Sequence, residues 1–229
     1  PKTAYEISLG LVGSEMCIRD SGDVPLLTSA TLQKLIDKLT QCDLALLSTK
    51  AIDPTGYGRI VRDAQNKVQR IVEQKDADSS TLNINEINTG TLAARTNLLK
   101  QWLAQTNSDN IQQEYYLTDC VELAVNAQHR VEAIVCDNPS EVLGVNNKVQ
   151  LAEVERIYQR HTAEQLMENG ATLMDPNRID IRGDLRIGKN VEIDVNTVFV
   201  GTSHLGDEVK IGANTVIINS SICLLYTSP

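Results

Sequence analysis

The chain has 229 residues and a formal net charge of -9, enough for one large or two ordinary domains with real cores. The acidic balance and the lack of any Lys/Arg cluster argue against a general nucleic-acid surface, and no run approaches the roughly 20 apolar residues of a membrane-spanning helix. Five scattered cysteines, odd in number and never spaced CxxC, suggest neither a disulfide framework nor a zinc site and fit a reducing cytoplasm.

Ser8–Ser21 and Cys223–Pro229 continue the pattern of neither neighbour and read as non-native, adapter-like tails, so residues 1–21 and 223–229 are set aside from the fold. The apolar run Gly22-Asp23-Val24-Pro25-Leu26-Leu27 leads into Thr28 and Ser29, either able to cap a helix whose apolar positions are Leu32, Leu35, Ile36 and Leu39. That puts Asp23 at a strand-to-helix junction, where open α/β sheets bind ligands, although an Asp there is equally a turn former.

Leu44–Thr49 reads as a buried strand, and Asp53–Arg59 as a loop whose glycines, Gly56 and Gly58, let backbone approach a ligand. A strand over Val68–Glu73 follows a tight turn at Asn66-Lys67, and Asp78–Asn83 reads as a polar surface loop. Glu86–Gly90 is expected as a short strand presenting Glu, Asn and Thr, giving way to a helix with Leu92, Leu98, Leu99, Trp102 and Leu103 on its apolar face. Glu114–Asp119 precedes a helix over Cys120–Ala127 with Thr118 as N-cap. A strand over Val131–Cys136 and the segment Glu141–Lys148 close the first domain. Val149–Asn169 reads as an amphipathic linker helix with Leu151, Val154, Tyr158 and Leu166 on one side, ended by Gly170.

From Ile181 to Ile222 one period persists. Every sixth residue is Ile181, Ile187, Ile193, Phe199, Leu205, Ile211 and Ile217, while Leu185, Val191, Thr197, Ser203, Val209, Thr215 and Ser221 are small or aliphatic. Hairpins alternate with period two, so a period of six predicts a parallel β-helix whose large aliphatics stack inward, with Gly188, Gly206 and Gly212 at turns between faces. Only about two coils are present where three or more are usual, so the array is expected to continue past Pro229.

Six ordered motifs lie upstream of that array: Gly22–Leu26, Gly56–Arg59, Ile71–Ala77, Glu86–Gly90, Glu114–Asp119 and Gly144–Asn147. With Asp175–Gly183 at the entry to the coil, their order and spacing resemble the bacterial bifunctional N-acetylglucosamine-1-phosphate uridyltransferase / glucosamine-1-phosphate acetyltransferase family. The resemblance implies an α/β nucleotidyltransferase domain over residues 22–148, Rossmann-like, with a mostly parallel sheet whose N-terminal part is missing. A helical linker at 149–169 and the start of a left-handed parallel β-helix at 170–222 would follow.

By the same resemblance, Gly22, Asp23, Gly58, Glu73, Asn88, Thr118 and Asn146 bind substrate, and Asp23 and Asn146 hold Mg2+ with hard oxygen ligands. Gly58 would use its backbone, Glu73 and Asn88 would hydrogen-bond the sugar, and Thr118 would lie near the sugar's phosphate and acetamido group. The implied reaction couples N-acetylglucosamine-1-phosphate to UTP, giving UDP-N-acetylglucosamine and pyrophosphate. It needs alignment and charge neutralisation and no side-chain nucleophile, so no catalytic side chain is assigned.

A glycine-rich loop with Arg and Lys for the triphosphate is expected upstream of Asp23, and the acetyl-CoA site in later coils. The present segment is therefore expected to be inactive alone, and the intact protein to be a cytoplasmic homotrimer. Two other assignments share the fold. A sugar nucleotidyltransferase for glucose- or mannose-1-phosphate would change the sugar contacts, and a non-catalytic assembly subunit would not need both Asp23 and Asn146.

Overall fold

The structure is a computed structural model in which residues 16–19 and 22–223 are described. It divides into two compact units at Asn146/Asn147.

The first unit is built on a mixed sheet. Its strands are β1 (Met16–Arg19), β2 (Leu44–Lys50), β3 (Arg59–Arg62), β4 (Val68–Val72), β5 (Glu86–Arg95) and β6 (Val131–Val135), in the order β4-β3-β5-β2-β6 with β1 also on β5. Among the described residues only β2 and β6 pair in parallel, and every other pairing is antiparallel. The expectation of a mostly parallel sheet is therefore corrected. Short turns such as Asn66-Lys67, with Asn66 at φ 64°, join β3 to β4 directly and force antiparallel pairing, which needs no crossover.

Successive residues of β2 face opposite sides, and both sides are covered. Leu44 and Leu46 join Ile60, Leu92, Leu99, Trp102, Cys120 and Val121 in one core, under α3 (Thr96–Leu103) and α4 (Asp119–Asn126). Ala45 and Leu47 join Leu32, Leu35, Leu39, Val24 and Val142 in the other, under α1 (Ser29–Lys38). Burial on both faces explains why β2 reads as a continuous apolar run and not as an alternation. Trp102 is core, with His129 edge-on to its indole at a centroid distance of 5.5 Å.

Four local expectations differ from the structure. Met16–Arg19, within the segment set aside as non-native, pairs with Leu92–Arg95 as an extra antiparallel strand on the edge of β5 that β3 leaves open. Gly22–Leu27 is a succession of turns and not a strand end, as suits a segment containing Pro25, which has no N–H to give a ladder. Asp78–Asn83 contains one helical turn, α2 (Ser79–Leu82), capped by Asp78 accepting from the Thr81 amide. Finally β5 runs to Arg95, so Leu92 belongs to the strand and not to the helix. Gly90, at φ 84°, sits in a bulge there: Leu46 pairs with Leu92 but Ser48 with Asn88, leaving two extra residues on β5. A glycine that looks like a strand stop is in fact where the strand bulges and resumes.

The second unit begins with α5 (Lys148–Glu168), N-capped by Asn147 and ended by Gly170 at φ 96°. Val154 and Leu166 are buried, whereas Leu151 and Tyr158, expected on the same apolar side, are exposed. Instead Gln159 is buried: its amide nitrogen donates to the Ile181 carbonyl at 2.9 Å and its oxygen accepts the Ile181 N–H at 2.7 Å. These two bonds satisfy the backbone of the first coil, which has no strand before it to pair with.

The coil itself is formed by β7 (Thr172–Leu173), β8 (Ile179–Ile187), β9 (Glu192–Ile193), β10 (Thr197–Leu205), β11 (Lys210–Ile211), β12 (Val216–Ile218) and β13 (Ser221–Ile222). All pairings are parallel, and from Ile181 to Phe199 to Ile217 the partner lies 18 residues on, three faces of six residues each. The aliphatic row points inward: Ile181, Ile193, Phe199, Leu205, Ile211 and Ile217 are buried and Ile187 partly so. The period shortens at the last corner, where Leu205 pairs with Ile222 and His204 with Ser221. Ser221 is therefore exposed and does not repeat Ser203. The corner at Gly183 cannot carry a side chain, since a methyl there would fall 2.2 Å from the Gly201 carbonyl oxygen.

Candidate functional site

Sheet register gathers three of the seven singled-out residues. Arg59 pairs with Val72 on β4 and with Ile87 on β5, so the next position sets Gly58 between Glu73 and Asn88, on the opposite face of the sheet from Arg59. The Asn88 amide donates to the Gly58 carbonyl at 2.8 Å, fixing that row. Gly58 is buried, and a methyl there would lie 2.9 Å from Ile71 Cγ2 and 3.2 Å from both carboxylate oxygens of Glu73. The missing side chain is what lets the Glu73 carboxylate lie close against the Gly58 backbone.

Both side chains of the row are oriented. Thr118, expected as a helix cap, makes no side-chain cap bond; its hydroxyl donates to Glu73 Oε1 at 3.0 Å from the N-terminus of α4. Asn88 Oδ1 accepts the Gly90 amide across the bulge at 3.2 Å, which leaves Nδ2 as the donor end of the carboxamide. The Thr89 hydroxyl donates to the Leu47 carbonyl at 2.8 Å and holds the bulge to β2. Four of the seven residues, Gly58, Glu73, Asn88 and Thr118, thus form one chain of contacts.

The turn in front of Gly58 is pinned by two residues that sequence reasoning passed over. Arg59 is 2% exposed; its guanidinium donates to the Tyr57 carbonyl and to Gln74 Oε1, the latter at 2.9 Å. Gln74 Oε1 also accepts the Gly56 amide at 3.1 Å. Arg59 stood inside a motif already singled out, but nothing local to it shows that it would be buried.

Asp23 and Asn146 form a second cluster. The Val145 amide donates to the Asp23 carbonyl at 2.8 Å, and a methyl on Gly144 would lie 4.0 Å from both Asp23 Oδ2 and Asn146 Nδ2. Both side chains are exposed and 123 residues apart in sequence, yet they border the same glycine. Gly22 is exposed beside Asp23, and among the described residues nothing lies near the place a side chain would occupy.

Beyond Glu73 the surface is acidic. A cavity of about 340 Å³ is lined by Glu73, Asp76, Asp109, Asp119 and Glu122, together with Arg70 and Tyr116. Burial, then the negative charges of Glu122, Glu73 and Asp76, push the Asp119 carboxyl above its ordinary range. Elsewhere, burial raises the thiols of Cys42 and Cys120 to about 11, which leaves them inert, and among the described residues no three His, Cys, Asp or Glu side chains are grouped to hold a metal.

These features define a protein of two linked parts, a three-layer α/β unit with a polar row of side chains at one sheet position and a parallel β-coil with an 18-residue turn. In sequence the chain is a homologue of part of the bifunctional GlmU proteins. It is 54% identical over 204 residues to that of Cupriavidus pinatubonensis and 53% over 201 residues to that of Burkholderia multivorans, in both cases 88% of this chain and 44% of the relative. With the Aromatoleum aromaticum protein it shares 49% over 212 residues, 93% of this chain and 47% of the relative. The chain thus spans less than half the length of the curated relatives it matches. No family model matches it. Among solved structures, a Trypanosoma brucei UDP-glucose phosphorylase aligns with TM-score 0.42 at 14% identity, over 96% of this chain and 59% of that one, too low a score to bear on the fold.

Proposed function

We propose that the protein to which this chain belongs makes UDP-N-acetylglucosamine in two steps: acetyl transfer from acetyl-CoA to glucosamine-1-phosphate, then coupling of N-acetylglucosamine-1-phosphate to UTP with release of pyrophosphate. The observation that carries the reading is the row Glu73–Gly58–Asn88, an acceptor and a donor flanking one glycine, in a chain about half identical to bifunctional GlmU proteins. A sugar presents hydroxyls that both donate and accept, and such a row answers both. Glu73 accepts from a sugar hydroxyl, Asn88 donates through Nδ2, Gly58 lends its backbone, and Thr118 keeps the Glu73 carboxylate aimed while lying near the phosphate and acetamido end.

Asp23 and Asn146 fit a magnesium ion. One carboxylate and one carboxamide, both exposed and both hard oxygen ligands, suit a cation that keeps several waters and takes its remaining ligands from phosphate. When bound, the ion would neutralise phosphate charge and act as a Lewis acid at the transferred phosphoryl group. Gly22 leaves room beside Asp23 for the substrate to approach. On this reading the coil is the left-handed start of the acetyltransferase domain, and the intact protein is a cytoplasmic trimer about the coil axis. Among the described residues no helix is long and apolar enough to cross a membrane.

Calorimetric titration of the chain with UDP-N-acetylglucosamine and with UDP-glucose tests the reading. Asn88→Ala should weaken binding of the first by about 1–3 kcal/mol through lost and orphaned hydrogen bonds. Equal affinity for the two nucleotide sugars, or no effect of Asn88→Ala, would favour a nucleotidyltransferase for a different sugar.

A further inference from the structure

Two loops carry Asp23 and Asn146, and a carboxylate that neither the sequence motifs nor the substrate row uses lies between them. Glu141 Oε2 accepts from the Thr31 hydroxyl at 2.6 Å, from the Thr28 hydroxyl at 2.9 Å and from the Thr28 amide at 3.4 Å. Thr28 is the N-cap of α1, five residues after Asp23; Glu141 is five residues before Asn146. The two segments run antiparallel: Lys34 pairs with Asp137 at 2.6 Å, Thr28 and Thr31 with Glu141, and Asp23 with Val145. Lys34 and Asp137 are exposed, so their pair holds little. Glu141 is partly buried, takes two hydroxyls and an amide, and sits at the positive end of a ten-residue helix, where an anion is favoured.

The carboxylate is itself held in place. Glu141 lies on a 3-10 turn, Pro139–Val142, started by Pro139 and capped by Asn138, whose side-chain oxygen accepts from the Ser140 amide and hydroxyl at 3.1 and 2.8 Å. Val142, the next residue, is buried with Val24 and Leu27 from the opposite segment. We infer that Glu141 is the positioning residue of the metal site: it clasps the Asp23 loop to the Gly144–Asn146 loop, so that two ligands 123 residues apart keep one spacing. The inference rests on the magnesium reading above, but the clasp itself can be measured without any metal.

The test uses the full ¹⁵N-labelled chain and two readouts, hydrogen exchange of the Val145 amide and Mn²⁺-induced broadening at Asp23 and Asn146. Glu141→Leu should speed Val145 exchange by about tenfold or more, the scale of one lost charge-assisted hydrogen bond. It should raise the Mn²⁺ concentration for half-broadening by a similar factor, while amides of β2 keep their protection. Glu141→Gln, which retains an acceptor for both hydroxyls, should recover most of both effects. Should Glu141→Leu fail to fold, Thr31→Val removes the shortest of the three bonds and should give the same changes at smaller size. Unchanged Val145 exchange in Glu141→Leu and Thr31→Val would overturn the clasp, as would loss of β2 protection to the same extent. Faster Val145 exchange with Mn²⁺ broadening unaltered would overturn the positioning role alone. No broadening at Asp23 or Asn146 in the unsubstituted chain would instead refute the magnesium reading, and with it the role of Glu141 in a metal site.

Discussion

The coil and the sheet solve the same problem, placing chosen side chains beside one another, by opposite means. In the coil each residue meets the one 18 positions on, so neighbours in space are copies in sequence and the rule repeats. In the sheet Gly58, Glu73, Asn88 and Thr118 meet once, through three pairings and a bulge that occur nowhere else in the chain. A repeated contact is redundant in kind but strict in shape, because one altered layer disturbs the layers above and below. A unique contact can change without that penalty, which suits the irregular unit to the proposed sugar contacts.

The comparison breaks most readily at Phe199. It is 1% exposed and lies in register between Ile181 and Ile217, so Phe199→Ala should cost about 3–5 kcal/mol by opening a cavity between layers. Urea unfolding followed by circular dichroism should record the loss, with fluorescence of Trp102, the chain's single tryptophan, reporting the first unit. A change under about 1 kcal/mol would mean the stacked row does not hold the coil.

A smaller effect is expected in the sheet at Glu86, which takes a two-toothed bond from Arg62 at 2.7 and 2.8 Å and the Ser48 hydroxyl at 2.7 Å. Burial pushes the Glu86 carboxyl up, but the Arg62 and Ser48 hydrogen bonds and the Arg62 charge together outweigh it and hold the group below its usual range. A depressed carboxyl contributes stability above its unfolded pKa and loses it as pH falls through the folded one. Glu86→Gln should therefore cost about 2 kcal/mol at pH 7 and almost nothing in strong acid, flattening the acid limb of a stability-versus-pH curve. A parallel shift at every pH would show that the charge is not what matters.

The smallest effect is at a coil corner. Asn196 has φ 60°, accepts from Arg178 Nε at 3.1 Å and donates to Asn214 Oδ1 at 2.9 Å, a ladder with the coil's own 18-residue step. Asn196→Ala should cost about 1–2 kcal/mol for the left-handed backbone, and Asn196→Gly should recover most of it. Equal melting temperatures for the two variants would show that the ladder, not the backbone, sets the corner.

How much of this was legible follows from the same contrast. A period of six announces the coil, because every layer votes for it, and the register it predicts holds until the corner between Ile218 and Ser221 drops one residue and displaces Ser221. No periodicity announces the row proposed to bind substrate. Its residues were reached through motif resemblance, and only pairing to Arg59 shows why they meet. Three things escaped the sequence for physical reasons. Only the β3–β4 hairpin is announced by a local turn, whereas β5 takes its antiparallel partners β1 and β2 from far along the chain; the bulge hides a strand behind Gly90, and Thr118 looks like a cap because its true partner, Glu73, is 45 residues away. Glu141 is hidden by the same kind of distance, 113 residues from Thr28.

The two clusters of the first unit, Asp23 with Asn146 and Glu73 with Asn88, are proposed to serve one ligand. Titration of UDP-N-acetylglucosamine into the chain with and without Mg²⁺ tests it directly, because linked sites must show coupled affinities. Magnesium should tighten binding in the unsubstituted chain and in Asn88→Ala by the same factor, and should have no effect in Asp23→Asn. A magnesium effect that survives Asp23→Asn, or that disappears in Asn88→Ala, would contradict the assignment of metal and sugar to these separate clusters.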